Sequence, residues 1–261
     1  MLKITKLITF DVTNTLVLFK NSVGHEYCKV ASAHKVPVNI QTEEKLKHSF
    51  KKQWKSWNEK HPNYGATTGL TSKQWWSALV NLTFRDAGFT NEMLSSEILA
   101  NVADNLWVKY SGIDCWTLKT DAIETLKYIR NEYSYVKLGI ISNSDERVLS
   151  ILNDFGIRQY FDFVVVSAIV KCEKPNPDIF KFALHAAGIE DPKQALHIGD
   201  DVNKDYLAAK KYGWNALLLN EKRLLNLNRV ENDHVVTSFK ELIKHPLFKQ
   251  FKTIDASNNS T

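Results

Sequence analysis

Cysteine is scarce in this chain. Cys28, Cys115 and Cys172 are its only three, far apart and without a CxxC pair. That argues against a disulfide framework and against a structural zinc site, and it fits a reducing compartment. Long hydrophobic runs are also missing. No stretch approaches the ~20 apolar residues of a membrane helix. Lys3 and Lys6 precede Leu7 and Ile8 in the manner of a leader, but Asp11 interrupts the apolar stretch too early for one. The patterns Asn81-Leu82-Thr83 and Asn259-Ser260-Thr261 match glycosylation acceptors, yet without a secretory signal they read as coincidence. There is no internal repeat and no Walker-type glycine loop, which excludes the usual nucleoside-triphosphate cradle. Charge of one sign is in small excess: +5 over 261 residues. Such a balance points to no nucleic-acid partner by itself. The expectations are a protein with no membrane and no nucleic-acid partner, cytoplasmic by default, with mitochondria and nucleus left open. The sequence does not fix an oligomeric state.

What is present divides into two kinds of sequence. From about residue 117 onward, short apolar runs alternate with helical spacing. Tyr135 to Ile141, Phe161 to Val166, Ala195 to Ile198 and Asn215 to Leu219 read as strands. Asp121 to Arg130, Asp145 to Phe155, Pro177 to Ala187 and Asp201 to Lys211 read as helices, several ending at a glycine. Regular alternation means βαβ crossovers and a mostly parallel sheet, with strands apolar on both faces. The run Ile4 to Phe10 belongs with them as a first strand. Between lies a stretch that reads almost wholly helical, near 22–35, 42–60, 71–88 and 92–109. The fold class expected is α/β: a Rossmann-like parallel sheet core, residues 1–16 and 117–252, with an inserted helical cap domain at 17–116. The polar tail 253–261 reads as disordered.

Two features of the insertion have bland explanations. Lys45, Lys47, Lys51, Lys52, Lys55 and Lys60 form the solvated face of one helix. Trp54, Trp57, Trp75, Trp76 and Trp107 fit a packed helical core, with room for one or two at a substrate entrance.

Ligands of open parallel sheets bind at the carboxyl ends of the strands, so the residues delivered there matter most. The first strand delivers Asp11, Thr13 and Thr15, in Asp11-Val12-Thr13-Asn14-Thr15-Leu16. The second delivers Ser142 and Asn143. The loop after Val166 delivers Lys174, and the strand at 195–198 delivers Gly199, Asp200 and Asp201, with Asp205 four residues on. Asp11 and Asp200 are hard oxygen ligands suited to magnesium. With Lys174 such an ion would neutralise a phosphoryl group. Ser142 and Asn143 offer donors to phosphoryl oxygens, and Asp11 can attack as a carboxylate nucleophile to form an aspartyl-phosphate. Each residue alone has an ordinary reading: a cap, a turn or a surface charge. Together, in order and each at a strand end, they form one site.

In these four motifs, DVTNTL, IISNS, KPNPDIF and HIGDDVNKD, the chain resembles the haloacid dehalogenase-like hydrolase superfamily. The resemblance spans the sheet region, and the insertion is similar to that superfamily's helical cap. It implies Asp11 as nucleophile and metal ligand, the Thr13 carbonyl as a second ligand and Asp200 as the acidic ligand. It further implies Ser142 and Lys174, with Thr15 and Asn143 beside them, at the phosphate, and Asp201 and Asp205 in support. One residue departs from the pattern. Phosphatases of the superfamily carry an aspartate where this chain has Thr13. That acid protonates the leaving group and then activates water, and a threonine hydroxyl cannot do so at neutral pH. Three readings stay open. The first is a magnesium-dependent phosphatase or phosphotransferase on a small phosphorylated metabolite, slowed by Thr13. The second is a disarmed regulatory or scaffold protein. The third is a metal-independent 2-haloacid dehalogenase, which would have little use for Asp200.

Overall fold

The computed structural model describes residues 5–221 and 228–249. Eight strands are present among them: β1 (Leu7–Phe10), β2 (Val17–Phe19), β3 (Trp116–Leu118), β4 (Lys137–Ser142), β5 (Phe163–Val166), β6 (Ala195–Gly199), β7 (Asn215–Leu219) and β8 (Val235–Val236). Six form one sheet in the order β5-β4-β1-β6-β7-β8. Every neighbouring pair in it is parallel. Crossing helices cover both faces of such a sheet, so its strands must be apolar throughout. That is observed: all four residues of β1 and all five of β6 are buried. β1 is central, with Phe10 in register with Ile140 of β4 and Ile198 of β6. The carboxyl ends of these three strands therefore lie side by side, and this registry gathers the polar residues that follow them.

The chain forms two compact units. The sheet unit comprises residues 1–18, 118–143 and 156–261. Its core on one face runs from Leu7, Ile141 and Val165 to Phe180, Trp214 and Leu218. Gly139 gives the ring of Phe163 room to lie against β4, since a Cβ there would sit 2.2 Å from Phe163 Cζ. The helical unit comprises residues 19–117 and 144–155. Its longest helices are Val23–Ala33, Ile40–Lys60, Ser72–Asp86 and Ser96–Ser111. Each starts at a side-chain cap: Ser22, Asn39, Thr71 and Ser95 accept hydrogen bonds from the third helical amide. Trp54 packs edge to face on both Tyr64 and Trp75, and Tyr64 lies tilted against Trp75. The segment 144–155, helical at Arg147–Asp154, clusters with this unit. The sequence division at 117 places it with the sheet.

Sequence and structure differ in smaller ways. β8 and the paired strands β2 and β3 are two or three residues long, too short for any periodicity to show. The helix expected over Asp201–Lys211 begins as a π-helix, Val202–Leu207, and becomes α-helical only at Ala208–Lys211. The tail expected to be disordered lies outside the described residues. No helix among the described residues is long and apolar enough to cross a membrane.

Candidate active site

The central group is Lys174. Its isolated reading is a surface lysine, but the structure buries it. Its ammonium donates to Asp11 Oδ1 at 2.7 Å, to Asp205 Oδ1 at 2.6 Å and to the carbonyl of Ile141 at 2.8 Å. All three protons are used, so the ammonium is fixed in direction as well as in charge. Burial alone would lower its pKa. Asp11 and Asp205 outweigh burial and hold it well above the ordinary lysine value.

Asn143 sets the backbone of this lysine. Its Nδ2 donates to the Lys174 carbonyl at 2.7 Å, and its Oδ1 accepts from the Lys174 amide at 2.8 Å. The side chain expected to face a phosphoryl group thus clamps the loop that carries Lys174. Ser142 closes β4 and is buried. Thr15, also buried, donates to Asp200 Oδ1 at 3.4 Å. Thr13 is half-buried in the turn after β1, bridged to Val17, with Asn14 beside it at φ 61°.

Asp201 and Asp205 separate cleanly. Asp201 Oδ1 accepts from the amides of Asn203 and Lys204 at 2.8 and 2.9 Å, so it is an N-cap. Asp205 is turned inward and buried. The wide π-turn re-aims it, and Gly199 makes the space: a Cβ on Gly199 would lie 2.2 Å from Asp205 Cγ. Besides Lys174, Asp205 Oδ1 meets His197 Nε2 at 3.2 Å, and its Oδ2 accepts from the Asp201 amide at 3.0 Å. Burial pushes the carboxyl upward, yet Lys174 and His197 hold it far below the usual carboxylate range.

The reading of the sequence passed over His197 and Thr9. Both are wholly buried on β6 and β1, where Thr9 is in register with His197. Thr9 Oγ1 lies 2.8 Å from His197 Nδ1. Burial lowers the imidazole pKa, so the ring is neutral and carries one proton. Asp205, an acceptor, requires that proton on Nε2. Nδ1 then accepts from the Thr9 hydroxyl. The available signal was a histidine inside the apolar run Ala195-Leu196-His197-Ile198. Lys119 was also missed. It is nearly buried, lies 3.3 Å from Glu221 Oε1 and draws the pKa of Asp200 downward.

The charges do not balance within the protein. Asp11, Asp200 and Asp205 bring ligand oxygens within 4.8 Å of one another, and among the described residues Lys174 is the one ammonium bonded to them. The consequence appears at the two acids with fewer donors. Burial, then the repulsion of Asp205 and Asp200, raises Asp11 to about 7 although Lys174 opposes the shift. Burial, then Asp205 and Asp201, raises Asp200 to about 6. A hard divalent cation would supply the missing charge, and clustered carboxylate oxygens are the donors magnesium takes. The fit is specific to two of the three acids. Asp205 has protein donors on both oxygens, whereas Asp11 accepts from Lys174 on Oδ1 alone and Asp200, among the described side chains, only from the more distant Thr15 hydroxyl on Oδ1.

Comparison with known proteins identifies the family. A family model described as haloacid dehalogenase-like hydrolase matches residues 5–213. The rhythmically expressed gene 2 protein of Drosophila melanogaster is 34% identical over 250 residues, covering 92% of this chain and 94% of that protein. Haloacid dehalogenase-like hydrolase domain-containing protein 3 of Mus musculus is 36% identical over 241 residues, covering 91% and 92%. Among solved structures, a 2-haloacid dehalogenase from Pseudomonas syringae pv. Tomato is similar in fold, with a TM-score of 0.64 at 20% identity over 92% of this chain and 97% of that one.

Proposed function

The chain belongs to the haloacid dehalogenase-like hydrolase family, and we propose that it is a magnesium-dependent phosphohydrolase or phosphotransferase acting on a small phosphorylated molecule through Asp11. The observation that carries this reading is the charge imbalance: three clustered carboxylates against one bonded ammonium. A site built only to displace halide from a carbon has no need of Asp200 or of a second cation. The likeness to a dehalogenase at 20% identity concerns the fold.

Each residue then has a task. Lys174 orients Asp11 through Oδ1, so that while one carboxylate oxygen of Asp11 would face the metal, the other attacks. That oxygen forms a bond to phosphorus as the ester bond to the leaving alcohol breaks, giving an aspartyl-phosphate. Water then attacks the phosphorus, the bond to Asp11 breaks, and inorganic phosphate leaves with the carboxylate restored. Asp11, Asp200 and the Thr13 carbonyl would hold magnesium, whose chemistry is charge neutralisation at the phosphoryl oxygens. Ser142 supplies a hydroxyl beside them. Asp205 keeps Lys174 charged and aimed, and His197 holds Asp205 in place. Thr13 cannot shuttle protons, so the leaving alkoxide takes its proton from water and both steps are slow. Thr13 also favours a second reading, a scaffold that retains the site and no longer turns over. Phosphate release from phosphomonoesters with magnesium, compared between the wild type and Asp11→Asn, decides between the two.

A further inference from the structure

We propose that the helical unit carries an oxyanion-binding site centred on the guanidinium of Arg147, suited to a carboxylate or phosphoryl group on a small molecule. Arg147 is held on three sides. Asp145 takes one edge, accepting from Nε at 2.9 Å and from Nη2 at 2.7 Å. The ring of Trp76 lies 4.2 Å and that of Trp107 4.1 Å from Arg147 Cζ. Both indoles therefore lie against the cation. What remains is the end of the fork that carries Nη1. This is the edge that guanidinium offers to a second oxyanion. The Arg147 side chain is 10% exposed, and its Nη1 is buried without a hydrogen-bond partner.

Nη1 is not alone. Trp76 Nε1 and the hydroxyls of Tyr27 and Tyr110 are likewise buried and unpartnered. The Trp76 and Tyr110 rings are 5.3 Å apart, and the Arg147 charge acts on both tyrosines. Folded proteins leave few buried donors unpaired, and each instance calls for an explanation. Three such donors in the same unit as the clamped arginine, with its own Nη1 a fourth, call for a guest that brings acceptors. Glu26, which also acts on Tyr110, is neutralised by Lys109 at 2.7 Å, so it does not repel one. The clamp also fixes Arg147 before binding, which lowers the ordering cost of recognition. Nothing in this site depends on the chemistry proposed at Asp11, because binding is read without turnover.

The test uses the full chain without magnesium. Sodium acetate and sodium phosphate are titrated at constant ionic strength against sodium chloride, with tryptophan fluorescence reporting on Trp76 and Trp107. Thermal melting reports on binding to the native state. A saturable change is expected with at least one anion, weakened about tenfold or more in Arg147→Met. The tighter of the two anions tells a carboxylate site from a phosphoryl site. Tyr110→Phe removes one unpartnered hydroxyl, so the free variant should melt no lower while the anion-dependent rise shrinks. Where Arg147→Met does not fold, Tyr110→Phe alone decides. No saturable change with either anion, or a change that the deciding variant leaves intact, overturns the proposal and assigns the four donors to buried water.

Discussion

Lys174 Nζ lies 2.7 Å from Asp11 Oδ1, with both side chains withdrawn from solvent. The pair joins residues 163 positions apart, and through Asp205 it extends to His197 and Thr9. The candidate chemistry rests on this chain of contacts, and its energetics can be tested link by link.

Removing the ammonium leaves Asp11 and Asp205 buried without their shared cation. Lys174→Met is therefore expected to destabilise the fold by about 3–5 kcal/mol, the usual cost of breaking a buried pair from one side. Urea unfolding of the variant against the wild type measures it. A loss under about 1 kcal/mol, typical of an exposed pair, would show that the lysine is not buried as described.

Thr9→Val keeps the shape of the side chain and deletes the hydroxyl that His197 Nδ1 needs. A loss of about 1–3 kcal/mol is expected from the buried acceptor left unsatisfied. The imidazole nitrogen shifts report the tautomer directly. In the wild type the proton should sit on Nε2, facing Asp205. A proton on Nδ1 would break the link between His197 and Lys174.

The pH dependence has a definite sign. Asp11 is raised from 3.8 to about 7 and Asp200 to about 6. Between the ordinary value and the raised one, the folded state keeps protons that the unfolded chain has released. These two acids therefore make the metal-free protein less stable as pH rises through that window. Asp205 acts in the opposite sense, and its depressed pKa contributes stability that is lost only in acid. Magnesium offsets the first penalty. The rise in melting temperature on adding it should be small near about pH 5 and large near about pH 8. An equal rise at both would contradict the assignment of Asp11 and Asp200.

Restoring the missing acid should restore proton transfer. Thr13→Asp is expected to raise the turnover number by about 10²–10⁴, the usual contribution of a general acid-base. Steady-state phosphate release measures it. A variant no faster than the wild type, with magnesium binding retained, would show that Thr13 is not what limits the reaction.

Much of this was legible in the sequence, and the reasons differ by element. β7 falls on the expected run Asn215–Leu219, and β6 extends its run by one residue, because parallel strands are apolar on both faces and end at polar residues. The four long helices of the insertion lie within a few residues of their expected positions, since caps and turn residues mark their ends. The acids and Lys174 were legible as strand-end residues. Their division of labour was not. Asp201 and Asp205 are four positions apart and look alike in a string. Only the π-turn and the space left by Gly199 send one to cap a helix and the other to the lysine. His197 and Thr9 were illegible for a related reason: a polar residue in an apolar run gives no sign of its partner until strand register is known. Arg147 reads as a helix residue, and nothing in the string brings Trp76 and Trp107 against its guanidinium.

Phosphate release from a panel of small phosphomonoesters with magnesium, wild type beside Asp11→Asn, tests the proposed function most directly. Slow, magnesium-dependent release by the wild type that Asp11→Asn abolishes is the expected result. Release that persists in Asp11→Asn, or that a chelator leaves unchanged, would contradict a nucleophilic Asp11 in a magnesium site.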